Sequence, residues 1–98
     1  MKQITAKELE HKLAAGEDVS IIDVREDSEV AEGKIPGAKH IPLGKLEERL
    51  EEIGKDQHHY VTCHAGGRSS RACEFLSHHG YDVTNMKDGM SSWEGKTE

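Results

Sequence analysis

The residues from Val61 to Ser70 read Val-Thr-Cys-His-Ala-Gly-Gly-Arg-Ser-Ser, and they hold the cysteine best placed to do chemistry. A β-rich run leads into Cys63; His64, Ala65, Gly66 and Gly67 follow, and Arg68 with Ser69 and Ser70 opens a helix. Adjacent glycines let the backbone curl so that successive N–H groups turn toward one centre. The first turn of the following helix adds unpaired N–H donors and a partial positive charge. A thiol in such a cradle ionises below its free value of about 8.5, because the donors favour the thiolate. Lowered thiol pKa and N–H groups aimed at developing negative charge are what a cysteine nucleophile needs. The same donors would hold a second sulfur or an incoming anion. Arg68 either adds a full charge to this ring or braces the loop from outside.

Cys73 reads differently. It shares an apolar helical stripe with Ala72 and Leu76, as a small buried hydrophobe would. At about 1.5 Å of rise per residue it lies a turn or so below the cradle, a poor place for a resolving thiol. Two cysteines make no disulfide framework, and free thiols fit a reducing compartment. The seven histidines include His58-His59 and His78-His79. Neighbours on a strand face opposite ways, and no spaced set of four ligands exists, so neither a metal site nor a cofactor is expected. Most of the histidines read as surface residues.

The elements that must position Cys63 follow from local pattern. Thr5-Ala6-Lys7-Glu8 is a capping box opening a helix with Leu9 and Leu13 on one face, and Gly16 stops it. Val19 to Val24 predicts a buried strand. Asp27 or Ser28 caps a brief helix ending near Gly33, Ile35 to Ala38 turns, and His40 to Pro42 is extended. Leu46, Leu50 and Ile53 repeat at helical spacing among glutamates, which predicts an amphipathic helix. His59 to Thr62 is the second clear strand, and Cys63 to Arg68 is read as irregular. A helix is expected over 69–79, a strand over 82–85 and a terminal helical turn over 90–93. Strands alternating with helices give an α/β domain with a mainly parallel sheet. Function in such sheets gathers at the carboxyl ends of strands. Asp23 with Arg25 ends one strand and Cys63 ends another, which points to a single edge.

Ninety-eight residues suffice for one domain, taken as 1–98, with a lean core at 34% hydrophobic and 33% charged residues. A net charge of −6 argues against nucleic acid as a partner. No apolar run reaches membrane-span length and no signal-peptide core follows Met1, so a cytoplasmic location is expected.

Cys63 to Ser69 resembles the rhodanese active-site loop, of form C-x-x-G-x-R-S. Ile21 to Glu26 resembles that family's strand ending in D-V-R. Glu29, then Gly33-Lys34-Ile35-Pro36-Gly37-Ala38 through Pro42, is similar to its E-x-x-x-G-x-I-P-G-A-x-x-I-P segment. Asp88-Gly89-Met90 with Trp93 resembles its terminal G-G-x-x-x-W. The departures are Val30 for an aromatic, Lys34 for a histidine and Asp88 for the first glycine of the last motif. The resemblance implies a five-stranded, mostly parallel sheet flanked by helices. It implies a sulfurtransferase in which Cys63 carries a sulfane sulfur, taken from thiosulfate or a low-molecular-weight persulfide and passed to cyanide or a thiol. By the same resemblance His64 and Arg68 steer an anionic donor, while Asp23 and Arg25 buttress the loop by an ion pair. Two related uses stay open: a relay of sulfur from a partner protein's persulfide, and a regulatory module of the same fold. Phosphatases and arsenate reductases of this fold resemble C-x5-R, one residue longer than the spacing from Cys63 to Arg68.

Overall fold

The computed structural model describes residues 1–98. Five short runs form strands: β1 (Lys2–Ile4), β2 (Ser20–Asp23), β3 (Lys39–His40), β4 (His58–Thr62) and β5 (Asp82–Met86). They make one sheet in the order β1-β5-β4-β2-β3, with every neighbouring pair parallel. Three α-helices, α1 (Ala6–Ala14), α2 (Asp27–Val30) and α3 (Gly67–His78), flank it. No helix is long and apolar enough to cross a membrane.

Side chains alternate along each strand, so neighbours on β2 serve different cores. Ile21 joins Ile4, Met86, Ile35 and the α1 residues Ala6 and Leu9 on one face. Ile22 joins Val61, Val83, Leu46, Ile53 and the α3 residues Ala72, Cys73 and Leu76 on the other. Each large aliphatic side chain buried this way contributes roughly 1.5–3 kcal/mol. The sheet is therefore sandwiched, and its carboxyl edge is left to the loops.

Several local readings hold and several shift. Thr5 and Glu8 form the capping box of α1, and Gly16 follows it with φ of 81°. Helix α2 is capped one residue earlier than expected: Glu26 precedes it, and the Glu29 side chain accepts from the Glu26 N–H. The amphipathic helix around Leu46 is instead two 3₁₀ turns, Leu43–Lys45 and Glu47–Glu52, broken at Arg49. Apolar residues spaced by three and four bury equally well from either backbone, and Leu46 and Ile53 are buried. Strand β1 carries one inward apolar residue, Ile4, too little pattern to mark it in advance. Four histidines are exposed, but His59 is buried, its ring bridging the Ser20 hydroxyl and the Gly54 carbonyl.

The chain leaves β2 toward β3 on one side and leaves β4 toward β5 on the other. Between β2 and β4 the connections diverge, opening the crevice where α/β sheets bind ligands. Asp23 and Thr62 are register partners at that point, and Cys63 is the next residue.

Candidate active site

Cys63 leaves β4 and its backbone turns at once into α3, which begins at Gly67 rather than at Ser69. Cys63, His64, Ala65 and Gly66 are irregular; Gly67 and Arg68, read as loop, are helical. Gly66 has φ of 99°, and a Cβ there would lie 2.1 Å from the Lys87 carbonyl oxygen. Glycine is obligatory at that position. Gly67 has no such constraint, since a Cβ there would meet open space.

The Cys63 side chain is not at an open loop mouth: it is 1% exposed and belongs to the core beneath α3. Its sulfur accepts from the Gly66 N–H at 3.1 Å and lies 3.4 Å from the Ser69 hydroxyl. Burial pushes the thiol up, but the Ser69 hydroxyl and the N–H groups of Ser69, Gly66 and Ala65 outweigh it. The net result is a thiol more acidic than usual. This is the expected cradle, closed more tightly over the sulfur than the sequence implies.

Ser69 is itself held. Its hydroxyl lies 2.5 Å from Asn85 Oδ1 and 3.2 Å from the Gly66 carbonyl, and Asn85 Nδ2 donates to that carbonyl at 3.3 Å. Asn85, buried at the end of β5, was not singled out in the sequence. The available signal was a polar residue at a core-facing strand position, which must find partners inside the fold. A second support comes from the turn after β5. Met90 N donates to the Cys63 carbonyl at 2.8 Å, and Ser91 N donates to the His64 carbonyl at 2.9 Å. Gly89 sits so close beneath that a Cβ would lie 2.2 Å from His64 O. Asp88, a departure from the family pattern, ties this turn to α1 by accepting from Ala6 N at 2.8 Å.

The charged candidates are all engaged. Asp23 is fully buried and takes a forked contact from Arg25, with Nη2 at 2.8 Å and Nε at 3.0 Å. Arg25 also donates to the Gly33 carbonyl at 2.8 Å and the Glu29 carbonyl at 3.4 Å. A buried pair of this kind is tolerable because its remaining donors are satisfied. It buttresses α2 directly, and the cysteine loop only through it. The link is Glu29, whose two carboxylate oxygens receive Arg68 Nη1 at 2.6 Å and Nη2 at 2.8 Å. Arg68, and after it the Glu26 N–H, holds the Glu29 carboxyl down to about 2. Arg68 thus ties the first turn of α3 to α2. His64 and Ala65 are exposed beside the buried sulfur.

A buried cysteine ringed by N–H donors at a strand–helix turn, with this sheet order, agrees with what residues 5–96 match: the Rhodanese-like domain family. The chain belongs to that family. Among rhodanese relatives, YtwF of Bacillus subtilis is 42% identical over 98 residues, covering 100% of this chain and 95% of its own length. Its name assigns it provisionally to the sulfurtransferases. YrkF of the same organism is 38% identical over 98% of this chain and 52% of its own length, and is named with the same reserve as a sulfur carrier protein. The crystal structure of a rhodanese-like domain protein from Staphylococcus aureus is 39% identical. It superposes with a TM-score of 0.94, covering 100% of this chain and 97% of that one.

Proposed function

We propose that residues 1–98 work as one rhodanese domain that transfers sulfane sulfur, with Cys63 as the nucleophile and carrier. The observation behind this is the buried sulfur with the Gly66 N–H at 3.1 Å and the Ser69 hydroxyl at 3.4 Å, its thiol acidified despite burial. The Cys63 thiolate attacks the outer sulfur of thiosulfate or of a persulfide. A new S–S bond forms to Cys63, the donor's S–S bond breaks, and its electron pair leaves with sulfite or a thiolate. A thiolate or cyanide acceptor then attacks the outer sulfur, and the bonding pair returns to Cys63 Sγ. Donors already aimed at the sulfur stabilise negative charge in both halves. The spacing of four residues between Cys63 and Arg68 favours a single sulfur over a tetrahedral oxyanion. Free cysteines fit residence in the cytoplasm.

The name of YrkF favours a second form of the same chemistry, in which donor or acceptor is a partner protein's cysteine. Intact-mass measurement tests the common core: incubation with thiosulfate or a small persulfide should add one sulfur, about 32 Da, that dithiothreitol removes. Hydrolysis of an aryl phosphate without sulfur uptake would reverse the assignment. A protein persulfide that loads Cys63 far faster than any small donor would establish the relay.

A further inference from the structure

The two arginines that the sequence marks at this edge of the sheet, Arg25 and Arg68, are already paired with carboxylates. Arg25 is buried against Asp23, and the planar fork of Arg68 is filled by both oxygens of Glu29. The segment that carries Glu29 is acidic throughout: Glu26, Asp27, Glu29 and Glu32 have no basic residue among them. An open groove of about 460 Å³ beside it is lined by Glu26, Asp27, Ser28, Pro42, Gly44 and Lys45. Lys45 in turn faces Glu48 at 3.5 Å, and His40 faces Asp27. A dianion approaching this side therefore meets carboxylates first and finds the nearest guanidinium engaged.

We infer that Glu29 is a specificity-determining residue: by holding Arg68 away from the donor it turns the Cys63 site against dianionic sulfur donors and toward donors of low charge. The inference rests on the sulfur-transfer reading and names the substrate class within it. The geometry is suited to the task. Arg68 lies in the first turn of α3, close enough for the Cys63 charge to act on it, yet it reaches outward to α2. The Glu29 carboxyl, held down to about 2, stays ionised wherever the enzyme works, so the restraint is not relieved near neutral pH. Glu29 also caps α2 through the Glu26 N–H, a bond that glutamine makes equally well. Glu29→Gln therefore weakens the hold on Arg68 while leaving the helix cap in place.

The test compares second-order rates of sulfur loading at Cys63, followed by intact mass, for three donors. Thiosulfate carries two negative charges, benzenethiosulfonate one, and cysteamine persulfide can balance its negative sulfur with an ammonium. Wild-type protein should load fastest from the last two. Glu29→Gln should raise the thiosulfate rate about five- to ten-fold, with benzenethiosulfonate gaining less and cysteamine persulfide changing under two-fold. In an Arg68→Ala background, which serves as the reference because it removes the guanidinium itself, Glu29→Gln should bring a thiosulfate gain well below that in wild type. An equal change for all donors on Glu29→Gln, or a thiosulfate gain of undiminished size in the Arg68→Ala background, would overturn the inference and leave sulfur transfer standing. Failure of wild-type protein to load from every donor would remove both.

Discussion

Cys63 and Cys73 are ten residues apart, lie in the same hydrophobic core and are equally hidden from water, at 1% and 0% exposure. Their thiols nonetheless move in opposite directions. At Cys73 burial, with the charge of nearby Cys63, pushes the thiol up to about 12. At Cys63 burial acts the same way but is outweighed by a hydroxyl and by backbone N–H groups at the α3 N-terminus. Burial makes a cysteine inert only when no donors are buried with it. Where the chain bends around the sulfur the thiol is acidified; in the middle of a helix it is packing.

The largest effect that tests this contrast is Cys63→Ser, which should reduce sulfur uptake to nothing by intact mass while Cys73 remains unable to substitute. Next comes Gly66→Ala. It forces a Cβ against the Lys87 carbonyl at a positive φ, and should cost about 2–4 kcal/mol in urea unfolding and slow sulfur loading by more than tenfold. Retention of full activity would mean that the loop tolerates displacement at Gly66 without losing its hold on the sulfur. Ser69→Ala removes one acidifying partner without a clash. The pH profile of iodoacetamide alkylation at Cys63 should shift upward, lowering the thiolate fraction at neutral pH several-fold; an unshifted profile would assign acidification to the backbone alone. Cys73→Ala should be mildest, keeping sulfur transfer and losing about 1 kcal/mol of packing.

Cys73 also makes a signed prediction about alkaline stability. Its folded pKa lies above the unfolded one, so the folded state binds more protons between the unfolded value near 9 and about 12. Stability from keeping the thiol neutral is whole below that window and is lost as pH rises through it. Wild-type protein should therefore lose stability across pH 9–12 more steeply than Cys73→Ala, as followed by denaturant midpoints. Parallel slopes would mean that Cys73 ionises freely when folded.

Features written in contiguous residues were legible in the sequence. The Cys63–Ser69 run, the Thr5–Glu8 capping box and the buried stripe of α3 each lie within one turn or loop, and local rules suffice for them. Partners brought together by topology were not. Glu29 reaches Arg68 across 39 residues and Asn85 reaches Ser69 across 16, and no periodicity links either pair. The depth of Cys63 was not legible for the same reason: a turn that follows β5, far along the chain, packs against the underside of the loop. The backbone of 43–52 was misjudged because apolar spacing records what is buried, not whether the coil is α or 3₁₀.

The two glycines at the loop's underside set a limit on what this chain can become. Gly66 lies against the Lys87 carbonyl and Gly89 against that of His64, backbone on backbone, with no side chain between to give way. The girth of the sulfur pocket is thus dictated partly from a segment some twenty residues downstream. An extra residue after Cys63 would bulge into that neighbour rather than widen the ring. A path from this scaffold to an oxyanion-sized cradle has to rebuild both segments together.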